Sequence, residues 1–405
     1  MSVPLHGPLP GYPVDAAHPA EPGEPGADKT SPVMADGLFD YVLPPERIAL
    51  YPSAERDASR LLIVERYGSR LEHRVFRDLP SLLEPGDLLV LNDTRVFPAR
   101  LRGRRPAGGE VEVLLTERLD WSSRGGEIWA VLARAAGKIR PGEEWELGAG
   151  LTGRVIGRRA DERLEVELRG ARPVLDIASE RGETPLPPYI RRPVDPAVDP
   201  QRYQTVYARS AGSCAAPTAG LHFTPELLEA LERRGVRTAT LTLHVGWATF
   251  RPLRPGDPVP PPVPPEPYDL PEETAAAVRE TRRRGGRVIG VGTTSARVLE
   301  ACMIDPDGPR AGAGACALTI APGHRFRAID GLLTNFHLPR TTLLMLVAAF
   351  GGEPTLRAAY AEALRDEYRF YSYGDAMLLM GDLQIPGKGC SAAIPDGGGE
   401  NRRAV

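Results

Sequence analysis

Twelve consecutive residues, Gly212-Ser213-Cys214-Ala215-Ala216-Pro217-Thr218-Ala219-Gly220-Leu221-His222-Phe223, carry no charge and little bulk until an imidazole and an aromatic ring arrive together. Small side chains let a ligand or another backbone come close, while Pro217 restricts the chain and Gly220 frees it. Thr224-Pro225-Glu226 follows, which reads as a helix N-cap, a proline at the first helical position and an acid in the first turn. His222 is therefore held against a helix start, where N–H groups and the helix dipole favour an anion. Histidine can also carry a proton in either direction near neutral pH. A tightly packed loop would use the same letters, so packing is the competing reading.

Other groups could serve the same site. Between Thr238 and Val245 apolar and polar residues alternate, which puts His244 on one face with Thr240 and Thr242, away from the core. Thr334-Asn335-Phe336-His337-Leu338-Pro339 sets an amide and an imidazole just before a helix start. Gly290-Val291-Gly292-Thr293-Thr294-Ser295 follows a strand and opens a helix, so its hydroxyls and N–H groups could hold a carboxylate or phosphate. It lacks the lysine of a Walker loop and the third glycine of a dinucleotide fingerprint, and a plain capped turn is the better reading of it alone. Tyr203, Thr205 and Tyr207 share a strand face and either line the His222 pocket or fill core. Tyr368 to Asp375 reads as an aromatic strand with Gly374-Asp375 as its site-like end.

These residues need elements to hold them. Asp87 to Leu91 is a short apolar run, as in a buried strand, and it ends in Asn92-Asp93-Thr94-Arg95. Polar groups at that end of a strand are where α/β sheets hold ligands. Residues 96–185 switch to short strands broken by Gly and Pro, which predicts an inserted small all-β barrel. Residues 38–95 and 186–380 then form a discontinuous main domain, whose alternating strands and helices imply a layered α/β architecture with a substantially parallel sheet. Residues 1–37 and 381–405 are rich in small residues, Pro and Gly, carry few large apolar side chains and read as disordered tails. Arg254 to Pro271 contains nine prolines, which argues against helix or inner strand and for a rigid loop over the site, or a polyproline ligand.

Composition narrows the class. No segment approaches a membrane span, no basic-then-apolar leader opens the chain, and the four cysteines show neither CxxC nor a Cys/His cluster. The expectation is a cytoplasmic protein with reduced thiols, no zinc and no membrane contact. The net charge of −3 argues against a dedicated nucleic-acid binder, yet residues 37–380 alone carry +1. Arg95 to Arg105 holds five arginines in eleven residues, which suits either phosphate contact or a solvated strand edge.

Order and wording say more than any single group. Asn92-Asp93-Thr94-Arg95-Val96-Phe97-Pro98-Ala99-Arg100-Leu101, Pro185-Leu186-Pro187-Pro188-Tyr189-Ile190, Tyr203–Tyr207, Ala215–Phe223, Leu243-His244-Val245-Gly246, Val291–Ser295, Thr334–Pro339 and Tyr368–Met377 follow one another along the chain. From about Phe39 to Met380 the sequence closely resembles the S-adenosylmethionine:tRNA ribosyltransferase-isomerase family of queuosine biosynthesis.

The resemblance implies a mixed α/β main domain, layered or barrel-like, with an inserted small β-barrel. It implies transfer and isomerisation of the ribosyl part of S-adenosylmethionine onto 7-aminomethyl-7-deazaguanine at the tRNA wobble position. The products would be epoxyqueuosine-tRNA, adenine and methionine. S-adenosylmethionine would be a co-substrate, with no prosthetic group and no metal, and a monomer would meet the tRNA anticodon loop. Catalytic roles are implied for His222, His244, Glu266 and Asp375. Substrate contacts are implied for Asn92, Thr94, Arg95, Tyr203, Thr205, Tyr207, Pro217, Thr218, Gly220, Phe223, Gly246, Thr293, Thr294, Arg297, Asn335, His337 and Tyr373.

Two stretches depart from the family pattern. Its His-x-Met-His-x-Glu before a Tyr is here Pro260-Pro261-Pro262-Val263-Pro264-Pro265-Glu266-Pro267-Tyr268, which keeps Glu266 and Tyr268. Its Gly-Ala-Gly-Thr-Phe is Gly246-Trp247-Ala248-Thr249-Phe250, which adds an indole. Two alternatives to the family reaction follow: an enzyme that ribosylates a small-molecule acceptor, or a non-catalytic RNA-binding relative.

Overall fold

The computed structural model describes residues 40–381 except 107, 124, 251–252, 254–256, 258–259 and 305–307. The tails expected at 1–37 and 381–405 lie outside the described residues, Gly381 excepted. The strands before residue 170 are β1 Arg60–Glu65, β2 Leu71–Val75, β3 Leu88–Asn92, β4 Thr94–Val96, β5 Arg100–Arg104, β6 Glu110–Ser122, β7 Gly126–Ala135, β8 Glu144–Glu146, β9 Thr152–Arg158 and β10 Leu164–Arg169. After it come β11 Ser210–Ser213, β12 Arg237–Leu243, β13 Glu266–Leu270, β14 Val288–Val291, β15 Met303–Ile304, β16 Gly308–Pro309, β17 Gly312–Cys316, β18 Gly331–Asn335 and β19 Ala376–Met380. The helices are α1 Leu79–Leu82, α2 Val174–Arg181, α3 Asp199–Arg202, α4 Pro225–Arg233, α5 Glu272–Arg283, α6 Gly292–Ala301, α7 Thr342–Gly351 and α8 Glu353–Arg365.

The continuous apolar runs become the sheet's centre. β3, β14, β18 and β19 are buried along their whole length, as strands covered on both faces must be. One sheet runs β17-β13-β12-β3-β14-β18-β19-β1-β2. Its middle strands β12, β3, β14 and β18 are parallel. β19 is antiparallel to β18 and parallel to β1, and β2, β13 and β17 are antiparallel additions, so the sheet is mixed.

Alternate residues feed two cores. Leu62, Val64, Leu88 and Val90 pack with residues of α5 to α8 on one face. Leu61, Ile63, Leu89 and Leu91 pack with α1 and α4 on the other. The result is the layered α/β arrangement that the strand–helix alternation implies. Helix α4 shows how local sequence secures a layer. The Thr224 hydroxyl accepts from Leu227 N at 3.1 Å, Pro225 opens the first turn, and Gly235 at φ 83° stops it. Leu227 and Leu231 are buried beneath, each contributing about 1.5–3 kcal/mol.

Strands β5 to β10 close a barrel in the order β10-β7-β6-β5-β8-β9. It has its own core, including Trp129, Trp145, Val131 and Leu168, with Val174 and Ile177 of α2 packed in. The segment leaves and returns through one neck, where Arg100 bridges Glu183 in antiparallel fashion.

Three local expectations fail for physical reasons. The proline stretch ends in an inner strand: β13 pairs with β12 on one side and β17 on the other. Pro267 is tolerated because it lies past the last register pair of β12, where only its carbonyl is used, accepting from His244 N at 2.9 Å. Residues 203–207 are not a strand; they leave the short α3 as turns. The aromatic segment 368–375 is a loop touching Ile48 only through a bridge at Phe370. It is folded back by the Asp375 carboxylate, which accepts from Arg60 N at 3.0 Å and Arg369 N at 2.8 Å.

Candidate active site

The four central parallel strands all deliver polar residues at their carboxyl ends, where open α/β sheets place ligands. β3 ends in Asn92 and leads to Thr94, β12 leads to His244, β14 to Thr293 and β18 to Asn335 and His337. Beside them lies a cavity of about 880 Å³, near the top of the range for small-molecule sites. One wall is the segment His244 to Thr249 with Glu266 and Arg297; the opposite wall belongs to the barrel, with Trp129, Glu117, Asp161 and Arg163.

His244 is the described histidine that lines this cavity. Its Nδ1 lies 2.8 Å from Thr94 Oγ1. Gly212 abuts the ring so closely that a Cβ there would sit 2.8–2.9 Å from three of its atoms. Burial lowers its pKa below the ordinary histidine value, and the nearby Asp93 charge partly offsets this. Asp93 is itself held by Thr242 Oγ1 at 2.6 Å and by Arg209 Nε at 3.1 Å. A half-buried imidazole that is neutral at pH 7 can accept a proton.

Glu266 lines the same cavity but is engaged. Its carboxylate accepts from Gly246 N at 2.7 Å and Thr249 Oγ1 at 3.1 Å, and it pairs with Arg297. Arg297, 7 % exposed, also donates to Leu318 O at 2.9 Å. The pair joins β13 to α6 and fixes the wall that Gly246 and Trp247 form. Trp247, the indole that departs from the family pattern, lies 5.6 Å from the Arg163 guanidinium and packs into the barrel core. Arg163 is saturated on its other side by Asp161 at 2.8 Å and Glu117 at 3.0 Å. Sequence reasoning offered only the Arg95–Arg105 run from this region and missed Trp129, Glu117, Asp161 and Arg163, whose place in the wall depends on barrel closure.

His222 and His337 form a deeper group. His222 stacks on Phe76 at 4.8 Å, lies 3.4 Å from Asn335 Oδ1, and burial pulls its pKa down to about 4. His337 contacts Thr334 Oγ1 at 2.8 Å, and burial pulls its pKa down to about 3. Its carbonyl accepts from Tyr41 and its N–H donates to Tyr360 Oη at 2.9 Å. His337 borders two small cavities of about 20 and 30 Å³, whose linings share Thr249 and Leu343 with the large one. His222 lines none of these three.

The other nominated residues divide. Pro217, Thr218, Thr293 and Thr294 border the 30 Å³ cavity, and Asn335 the 20 Å³ one. Asn92 clamps β3 to the end of β12, donating to Leu243 O at 3.0 Å and accepting from Leu243 N at 3.0 Å. Thr205 and Tyr207 wrap Gly220, where a Cβ would meet Tyr207 Oη at 2.1 Å and Thr205 Cγ2 at 2.8 Å. Tyr203 packs edge-on to Tyr373, whose hydroxyl donates to Asp199 at 3.1 Å. Phe223 packs on Phe76, and Asp375 holds its loop, away from all three cavities. Arg95 is exposed on β4, beside Thr94. Among the described residues His73, Glu362 and Asp366 are grouped at metal-ligand spacing, but Arg365 and Arg60 already pair with the carboxylates.

Fold and site together define a layered α/β protein with a ligand-sized cavity at the carboxyl ends of its parallel strands, faced by a β-barrel and lined, among the described histidines, by His244. Residues 37–379 match the family described as "Queuosine biosynthesis protein", and the chain belongs to that family. It is 51% identical over 341 residues to the S-adenosylmethionine:tRNA ribosyltransferase-isomerase of Pelobacter propionicus, covering 84% of this chain and 98% of that protein. Against the enzyme of the same name from an Anaeromyxobacter species it is 52% identical over 344 residues, covering 84% and 97%. A crystal structure of S-adenosylmethionine tRNA ribosyltransferase from Thermotoga maritima is 39% identical, covers 84% of this chain and 99% of that one, and gives a TM-score of 0.48.

Proposed function

We infer that this protein is an S-adenosylmethionine:tRNA ribosyltransferase-isomerase. It moves and isomerises the ribosyl group of S-adenosylmethionine onto 7-aminomethyl-7-deazaguanine in tRNA, releasing adenine and methionine. The observation that carries this reading is identity of about half along nearly the full length of relatives bearing that name.

The reaction needs a base at C5′, where the adjacent sulfonium raises proton acidity, and an acid to help adenine leave. His244 supplies the base in this reading. With Thr94 Oγ1 donating to Ser210 O, the Nδ1–H of His244 is directed to Thr94, which leaves Nε2 as the basic atom. His222, sealed against Phe76 and beside Asn335, serves as a structural group rather than moving protons. The Glu266–Arg297 pair shapes the wall. The rebuilt proline segment supplies wall surface from Val263, Pro264 and Pro265 in place of titratable groups.

The partner is tRNA, met through its anticodon loop. Arg118 and Arg159 stand in the cavity wall, and exposed Arg95 and Arg209 flank the Thr94–His244 side, where phosphates would gain from them. Residues 96–185 act as an inserted domain within 38–95 and 186–380, and the protein works as a cytoplasmic monomer. No described helix is long and apolar enough to cross a membrane. The test is incubation with S-adenosylmethionine and precursor tRNA, then mass spectrometry of nucleosides and free adenine. Epoxyqueuosine with adenine supports the reading. Adenine without modified tRNA points to another acceptor, and neither product overturns catalysis.

A further inference from the structure

The 30 Å³ cavity lies over the first turn of α6. Gly292 at φ 86° turns the end of β14 directly into the helix, and no side chain caps the helix N-terminus. The first-turn N–H groups therefore keep hydrogen-bonding capacity and the positive end of the dipole. A second, independent feature marks the place. Thr294 is 6 % exposed, lines this cavity, and its hydroxyl has no hydrogen-bond partner, although a buried hydroxyl normally has one.

Size and charge narrow the ligand. A water needs about 10–15 Å³ by this measure, so 30 Å³ accommodates two oxygens, whereas the four of a phosphate would need about 40–60 Å³. The lining offers threonine hydroxyls from Thr218, Thr249, Thr293, Thr294 and Thr334 and no acidic side chain. His337 is its one titratable group and stays neutral, so no cation is present to balance a dianion. A helix end worth about half a charge suits a monoanion. Val245, Thr249 and Leu343 border both this cavity and the large one, so a ligand filling the latter can extend a terminal group into the former.

We propose that the first turn of α6, with the Thr294 hydroxyl, is the carboxylate subsite for the methionine end of S-adenosylmethionine. The assignment rests on the function inferred above. The test is isothermal titration of the full-length protein with S-adenosylmethionine and with its decarboxylated analogue. The wild type binds the decarboxylated form more weakly by about 10- to 100-fold, the range for hydrogen bonds to a charged group. Thr294→Val weakens S-adenosylmethionine binding about 10-fold and leaves the analogue unaffected, while Thr294→Ser restores the difference. Equal binding of the two ligands by the wild type overturns the subsite alone and leaves the function standing. Equal losses for both ligands in Thr294→Val overturn it too, since that is the signature of a structural defect. A wild type that binds neither ligand overturns the parent reading and the subsite with it.

Discussion

Acid should unfold this protein through two buried histidines, His222, for which the sequence implies catalysis, and His337, for which it implies a substrate contact. In the native state His222 titrates at about 4 and His337 at about 3, both because burial excludes the charged form. Free histidine titrates near 6.5. Above that pH neither residue distinguishes folded from unfolded chain. Below it the unfolded chain binds protons that the native state refuses, so stability falls until the pH passes each folded value. Each pH unit in that window costs about 1.4 kcal/mol per histidine. Between pH 7 and pH 5 the loss is about 2 kcal/mol for each and about 4 kcal/mol for the pair. The measurement is urea unfolding at both pH values for the wild type and His222→Gln, which keeps a neutral polar group beside Asn335. Carboxylate contributions cancel in the comparison, and the variant should lose about 2 kcal/mol less than the wild type on acidification. An identical acid penalty in both proteins would refute the sealed, neutral His222.

Three further outcomes are expected. His244→Ala should lower the rate of adenine release by about 10²- to 10⁴-fold with an unchanged melting temperature, and the wild-type rate should hold as pH falls to 6.5, since this imidazole titrates below that value. Gly212→Ala drives a methyl group against the His244 ring and should depress turnover more than S-adenosylmethionine affinity, read from separate kcat and binding measurements. Glu266→Gln leaves the Arg297 charge buried against carbonyls and should cost about 3–5 kcal/mol in urea unfolding, much of which Glu266→Leu with Arg297→Met recovers.

What could be read from the sequence was what neighbours in sequence decide. The apolar run at Asp87 to Leu91, which the strand Leu88–Asn92 matches to one residue, the capped start of α4 and the polar face of His244 each depend on a few adjacent residues. The failures involve partners far along the chain. His222 looks like a proton carrier from its loop, but Phe76, 146 positions earlier, seals it. Pro267 looks unfit for an inner strand until β12 ends short of it. The barrel wall could not be assigned to the site, because the Arg163–Trp247 contact spans 84 residues and Trp247, from outside the barrel strands, packs into the barrel core. Asp375 reads as site-like through its glycine neighbour, while its carboxylate serves backbone groups at Arg60 and Arg369.

The place of β19 between β18 and β1 has a consequence during synthesis. Among the described residues the β1–β2 hairpin joins the sheet only through β19, yet 311 positions separate Glu65 from Ala376. At about 5–20 residues per second the ribosome takes about 15–60 s to cover that distance. Throughout that interval Leu61 to Val64, a fully apolar stretch, has an unpaired edge, the kind of surface on which nascent chains mispair until β19 emerges.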